Sequence, residues 1–146
     1  MFARAHGRPY ICVMYRLCFQ GEFSARHRLV GGDWGAENEL HGHSYRVEWE
    51  LSALALDAHG FLVDLVDVEQ ALAGAVERYR GAVLNDLPEF GSENPSLERF
   101  ARVIWERLSP ALPRGVASAV RLWENSSAWA GYDRPVDHQG RTTGLE

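Results

Sequence analysis

Three histidines in the first third of the chain have the residue type and spacing of a metal site. His41 and His43 flank one glycine at the start of an alternating, strand-like stretch, so their side chains point to the same side. His27 ends the preceding predicted strand, and an antiparallel hairpin would bring it opposite that pair. Three neutral imidazoles with an open fourth position are the usual arrangement of catalytic zinc. The sequence therefore predicts a Zn²⁺ site, with a chance grouping of surface histidines as the alternative.

Hydrophobic periodicity predicts the elements that would position these histidines. Alternating apolar and polar residues predict four strands, which run from Tyr15 to His27, from Ser44 to Leu51, from Val116 to Glu124 and from Ser127 to Tyr132. Helical spacing predicts one helix after Asp64 or Asp67, ending at Tyr79, and a second that begins at Asn94-Pro95. This order is typical of an α+β domain with a four-stranded antiparallel sheet and both helices on one face. The two open sheet edges favour pairing between subunits.

Length and charge exclude several function classes. The chain has 146 residues, the size of one domain, and a net charge of −5, which argues against a nucleic-acid or membrane partner. The apolar runs fall short of the ~20 residues that a membrane span needs, and no signal peptide is recognisable. We therefore expect a cytoplasmic domain at 14–133, with an N-terminal extension at 1–13 and a loose tail at 134–146. Cys12 and Cys18 cannot form a disulfide framework, and we expect them to pack in strands.

Five ordered blocks of sequence form a characteristic series: Phe23 to Leu29, His41 to Tyr45, Gly60 to Asp64, Leu84 to Pro88 with Glu93 to Glu98, and Val120 to Glu124 with Ala130-Gly131-Tyr132 after it. Together they resemble the family of 6-pyruvoyl-tetrahydropterin synthase and 6-carboxytetrahydropterin synthase. The resemblance implies the tunnelling fold, in which subunits assemble into barrels, usually hexamers of two trimers. It also implies active sites that lie between subunits.

The resemblance implies roles for individual residues. His27, His41 and His43 would be the zinc ligands, and Glu124 would anchor the amino-pyrimidine edge of a pterin. Glu124 shares strand parity with the apolar residues before it, which places it on the core side, where a carboxylate needs partners. The alternative is a strand-end glutamate turned toward solvent. The implied activity is that of a zinc-dependent lyase acting on a reduced pterin such as dihydroneopterin triphosphate.

The chain departs from the family at its catalytic residues. Glu37 stands where the family has a cysteine that acts as base, and Arg80-Gly81 replace its Asp-His pair. A carboxylate beside Zn²⁺ can act as a general base, so Glu37 is our candidate and Glu39 a weaker one; a solvated acidic loop is the alternative for both. Variants that resemble side-chain-cleaving aldolases, with a 6-hydroxymethyl product, place a glutamate at the position of Asn38. A non-catalytic or repurposed protein that binds zinc or a pterin-like ligand is the contrasting hypothesis.

Several other residues have two interpretations. Arg80 could bind a phosphate or carboxylate, although an exposed helix end is the simpler explanation. Trp34 and Trp129 could stack on a planar ring or pack in the core or an interface. The remaining histidines are expected to be exposed loop or tail residues: His6, His59 and His138.

Overall fold

The computed structural model describes residues 14–134. Its four strands form one antiparallel sheet in chain order: β1 (Tyr15–His27), β2 (His41–Ala53), β3 (Ala117–Trp123) and β4 (Trp129–Asp133). Two helices, α1 (Leu65–Tyr79) and α2 (Leu97–Leu108), follow β2 and pack on the sheet. The predicted α+β class and four-stranded sheet are confirmed. The predicted extension at 1–13 and the predicted tail beyond Arg134 lie outside the described residues.

Side-chain alternation along the strands separates an apolar face from a polar one. The buried residues of the apolar face are Phe23 and Ala25 on β1, Tyr45, Val47, Trp49 and Leu51 on β2, and Val120 and Leu122 on β3. The Trp49 indole donates a hydrogen bond of 2.7 Å to the Ser118 hydroxyl, which satisfies both groups inside the core. His27 and His43 have the same parity as these residues, so they face the helix side at one end of the sheet.

Each helix begins at a side-chain cap. The Asp64 carboxylate accepts a hydrogen bond of 2.9 Å from the Val66 amide. Of the two predicted caps, Asp64 and Asp67, Asp64 is therefore the one that caps α1. The predicted start of the second helix at Asn94-Pro95 is two residues early. Ser96 is the cap, because its hydroxyl accepts from the Arg99 amide, whereas the Asn94 side chain bonds to a different loop.

Three further differences from the sequence prediction involve strand ends, the first loop and a cysteine. β2 begins at His41 rather than Ser44, because His41 pairs with His27 and extends the ladder through the glycine. The predicted loop between β1 and β2 contains a 3-10 turn, Gly35–Asn38. Cys18 is exposed on the polar face of the sheet, so the prediction that it packs in a strand interior is wrong. Cys12 lies outside the described residues.

Neither helix has both the length and the apolar composition required to cross a bilayer, within the residues that the structure describes.

Candidate metal centre

The hairpin of β1 and β2 brings the three predicted histidines together. His27 and His41 are direct cross-strand partners, and His43 lies two residues further along β2 on the same face. The centroids of the three rings are 4.6 to 5.0 Å apart. One ring nitrogen from each histidine lies within 4.8 Å of the other two. The cluster therefore has the size and donor type of a three-histidine metal site.

Backbone carbonyls orient two of these rings. The Nδ1 atom of His27 lies 2.9 Å from the Pro95 carbonyl oxygen, and that of His41 lies 2.7 Å from the Glu39 carbonyl oxygen. Because a carbonyl only accepts, each Nδ1 carries the proton and each Nε2 presents its lone pair. The same contact is a common way for proteins to fix the tautomer of a metal-bound histidine.

The Nε2 atoms show that the site fits a metal ion. All three are buried, and none has a hydrogen-bond partner in the described part of the chain: His27, His41 and His43. Buried acceptors without partners are rare in folded proteins, and a cation would satisfy all three at once. No carboxylate or thiol joins the three histidines in this group of mutually adjacent donors among residues 14–134. The donor set therefore matches zinc with one coordination position open to a ligand.

His27 is the most enclosed of the three histidines, with 3% of its surface exposed. Its burial lowers the pKa of the imidazole below the usual value, the hydrogen bond to Pro95 opposes this change, and the two neighbouring histidines contribute in the same direction as burial. A lowered pKa keeps the ring neutral, and the neutral ring is the form that binds a metal.

Glu37 lies beside this cluster. It is part of the 3-10 turn, and its Oε2 atom is 3.6 Å from Nε2 of His41. Half of its side chain, 51%, remains exposed, so the carboxylate can exchange protons with water. The next residue, Asn38, points away into the loop, where its side chain bonds to Trp34, Leu29 and Gly32. Position 37 therefore faces the histidines, and position 38 holds the loop together.

Glu124 lies beside the histidine cluster at the end of β3, the strand next to β2. It follows the last residue of β3, and its Oε2 atom is 4.0 Å from Nε2 of His43. About a quarter of its side chain is exposed, so the carboxylate is partly enclosed. Glu39, the weaker candidate for the base, is exposed and precedes β2; its contact with the site is the backbone carbonyl that holds His41.

Aromatic side chains form the floor beneath the histidines. The ring of Tyr45 lies 5.7 Å from that of His43 and 5.1 Å from that of Phe100 on α2. Burial raises the pKa of the Tyr45 hydroxyl well above its ordinary value, so this group stays protonated. Both rings of this floor are buried, so the side of the histidines that faces the core is shielded from water.

The family profile described as 6-pyruvoyl tetrahydropterin synthase matches residues 16–135, which is most of the chain. The chain belongs to this family. The resemblance predicted from the five sequence blocks is therefore confirmed.

Curated relatives that match this family member include two pterin synthases. The 6-pyruvoyl tetrahydrobiopterin synthase of Pongo abelii is 28% identical over 119 residues, which cover 72% of this chain and 81% of that protein. The 6-carboxy-5,6,7,8-tetrahydropterin synthase of Bacillus subtilis is 29% identical over 93 residues, which cover 61% of this chain and 62% of that protein.

Solved structures share the fold. The 6-pyruvoyl tetrahydropterin synthase of Caenorhabditis elegans has a TM-score of 0.75 and 20% identity, and the match covers 84% of this chain and 97% of that one. The Plasmodium vivax enzyme has a TM-score of 0.71 and 15% identity, over 85% of this chain and 99% of that one. The Plasmodium vivax structure is described as a catalytic-residue mutant in which a glutamate is replaced by alanine.

The other candidate ligand-binding residues of this member of the 6-pyruvoyl tetrahydropterin synthase family are Arg80, Trp129 and Trp34. Arg80 is exposed and forms an ion pair of 3.0 Å with Glu77. Trp129 lies on the polar face of the sheet, next to Trp123, so it does not face the metal cluster. Trp34 is 44% exposed and lies in the loop that carries Glu37.

One of the three remaining histidines lies within the described residues. His59 is exposed, in the turn after β2 at the far end of the sheet, and His6 and His138 lie outside the described residues. The Pro95 and Glu39 carbonyls, which orient His27 and His41, could not be predicted from the sequence. A main-chain acceptor leaves no signal in residue type, so only the fold reveals it.

Proposed function

We propose that this protein is a zinc-dependent lyase that acts on a reduced pterin such as dihydroneopterin triphosphate. The observation that carries the proposal is the convergence of three unpartnered, buried Nε2 atoms with the Glu37 carboxylate 3.6 Å from one of them. Membership of a family whose named relatives make tetrahydropterins supports the substrate class.

The ligand set for the metal would be His27, His41 and His43. Bound Zn²⁺ supplies Lewis acidity, which polarises oxygen atoms of the substrate side chain and makes neighbouring protons easier to remove. The carbonyls of Pro95 and Glu39 keep two of the imidazoles in the metal-binding tautomer. The apolar floor of Tyr45 and Phe100 excludes water from beneath the cluster.

Glu37 would act as the general base. Its position 3.6 Å from a proposed metal ligand supports this role, because a substrate bound at the histidines would lie near the carboxylate, and the exposed half of the side chain would let the proton leave to water. The description of the Plasmodium vivax relative supports a glutamate in this role within the fold.

Glu124 would bind the pterin ring. A carboxylate accepts two hydrogen bonds side by side, which matches the amino and ring N–H groups of an amino-pyrimidine edge. Its partial enclosure beside His43 supports this role, because a bound ring there would lie next to the metal.

Cleavage of the pterin side chain is a second candidate reaction. Arg80-Gly81 stand where the resemblance implies an Asp-His proton donor, and Glu37 is the base candidate that lies beside the three histidines. One carboxylate can take a proton from a hydroxyl and return it to carbon, which is sufficient for an aldolase-type cleavage to a 6-hydroxymethyl pterin.

The active protein would be a homo-oligomer, with a hexamer of two trimers as the expected form and Zn²⁺ as the resident metal. The first half of β1 and all of β4 are sheet edges, which supports strand pairing between subunits. The second half of β1 is covered, because Ser24 and Arg26 bond to Gly81 and Ala82.

The test is to incubate the zinc-loaded protein with dihydroneopterin triphosphate, and separately with dihydroneopterin, and to identify products by mass spectrometry. The His41→Ala variant is the control without a complete metal site. Metal-dependent conversion supports the proposal, and the product mass distinguishes elimination from side-chain cleavage. Tight pterin binding without conversion would indicate a binding protein, and the absence of both would refute the pterin assignment.

A further inference from the structure

Residues 28–30, which follow β1, have the hydrogen bonds of a strand although none of the strands in the described part of the chain lies beside them. The Arg28 amide donates to Oδ1 of Asn85 at 2.9 Å, and Nδ2 of Asn85 donates back to the Arg28 carbonyl at 2.9 Å. Asn94 forms the same pair of bonds with Val30, at 2.8 and 3.0 Å. Each side-chain amide offers one acceptor and one donor, as the main chain of a neighbouring strand does.

Leu29 bonds to the opposite side. Its amide donates to the Glu37 carbonyl at 2.8 Å, and its carbonyl accepts from Nδ2 of Asn38 at 3.0 Å. Alternate residues of 28–30 therefore bond in opposite directions, as in a strand with a neighbour on each side. The backbone of Glu37 is tied through this segment to Asn85 and Asn94.

We propose that Asn85 and Asn94 are positioning residues for Glu37, with residues 28–30 as the connection. The inference rests on the proposed role of Glu37 as general base. The metal ligands themselves lie on the ladder of β1 and β2, which neither asparagine joins. The bonds of the two amides lead through residues 28–30 to the loop of Glu37, so we expect their loss to affect the position of the base more than the affinity for the metal.

The asparagines lie on a segment that also contacts the metal site. Asn94 precedes Pro95, whose carbonyl holds His27, and Asn85 is in the short 3-10 turn Leu84–Asp86. This segment is anchored in the core by Leu84 and Phe90, which are almost fully buried. A rigid support of this kind is what holds a catalytic group on a loop in a reproducible position.

The test compares Asn85→Ala and Asn94→Ala with Asp57→Ala, in the zinc-loaded full chain. Asp57 is a matched control, because its carboxylate also holds a loop by two backbone amides, those of His59 and Phe61, at the other end of the sheet. For each asparagine variant we expect kcat to fall by roughly tenfold or more, with KM and zinc affinity changed by less than about threefold. The Asp57 variant should leave all three unchanged.

Two further measurements separate a positioning role from a merely structural one. In a Glu37→Gln background, Asn94→Ala should cause no additional loss of kcat, because the group that it positions is already absent. Hydrogen exchange over residues 28–38, measured by mass spectrometry, should be faster by about tenfold or more in the asparagine variants. Asn85→Asp and Asn94→Asp keep the side-chain acceptor and lose the donor. These variants replace the alanine variants in the same measurements if an alanine variant does not fold.

The outcomes that overturn the inference are distinct from failure of the proposed function. A full additional loss in the Glu37→Gln background, or a fall in zinc affinity that parallels kcat, would contradict the positioning role. Unchanged exchange over 28–38 would contradict the connection itself. If the wild-type protein shows no turnover, the proposed function fails alone, since the exchange experiment still measures whether the asparagines hold the loop.

Discussion

The Glu37 carboxylate lies 3.6 Å from Nε2 of His41, although the first residue is on a turn and the second begins a strand. The 3-10 turn ends three residues before the strand begins, so four residues of separation bring a carboxylate to the edge of a three-histidine cluster. The three proposed metal ligands lie on the β1–β2 ladder, whereas the carboxylate lies on the loop. Substitutions can therefore separate metal binding from proton transfer.

Glu37→Gln tests the proton-transfer role. The amide keeps the size of the side chain but accepts a proton poorly, so kcat should fall by roughly 100-fold or more while the zinc content stays at the wild-type level. Glu39→Gln is the matched control, because Glu39 contributes its backbone carbonyl and not its carboxylate to the site. Equal activity of the Glu37 variant and the wild type would exclude this residue as the base.

His43→Ala tests the metal site by metal content rather than activity. Loss of one of three imidazoles should weaken Zn²⁺ binding by about 100-fold or more, measured by competition with a chromophoric chelator. His59→Ala is the control, since His59 is exposed in a loop at the other end of the sheet. If both variants retain the zinc affinity of the wild type, the three histidines do not form the site.

Glu124→Gln tests recognition of the pterin ring. Replacing one carboxylate oxygen with an NH₂ group places a donor against the donors of the amino-pyrimidine edge. Pterin affinity, measured by fluorescence titration of the zinc-loaded protein, should fall by about tenfold or more. Glu69→Gln, on the exposed side of α1, is the control. A fall in kcat with unchanged pterin affinity would instead indicate that Glu124 takes part in the chemical step and not in binding of the ring.

The sheet and the histidine cluster could be predicted from the sequence because both follow local rules. Alternation with period two put His41 and His43 on one side, and the hairpin put His27 opposite them. The start of α2 was misplaced because Asn94 and Ser96 are both good caps, and the tertiary contact of Asn94 with Val30 decides between them. Such a long-range bond has no local signature.

The loop of Glu37 is the part of the site for which the sequence was ambiguous. Glu37 and Asn38 are adjacent, and residue type alone did not determine which side chain faces the metal. The structure decides this through hydrogen bonds of Asn38 to three backbone groups of its own loop. The supporting amides of Asn85 and Asn94 come from residues more than 50 positions away. These contacts become visible only after the chain has folded.

A hydrogen-bond network around Glu89, apart from the histidine cluster, predicts that the fold loses stability at acid pH. The Glu89 carboxylate accepts two hydrogen bonds from Arg78, at 2.6 and 3.2 Å, and one from the Tyr79 hydroxyl at 3.1 Å. Arg78 is the main cause that lowers the pKa of Glu89 to about 2. Because the pKa is lower in the folded state, the native protein binds fewer protons than the unfolded chain between about pH 4.5 and pH 2.

The Glu89 contribution to stability is therefore complete above the unfolded pKa and is lost as the pH falls through this range. Glu89→Gln should lower the free energy of unfolding by about 1–2 kcal/mol at pH 7, a value that allows for the partial exposure of the pair. Urea denaturation at several pH values between 7 and 3 should show the two proteins converging on the acid side. Glu106→Gln, which breaks an exposed helical pair with Arg102, should change stability by less than about 0.5 kcal/mol. A difference between Glu89→Gln and wild type that stays constant down to pH 3 would show that the lost stability comes from packing and not from the charge.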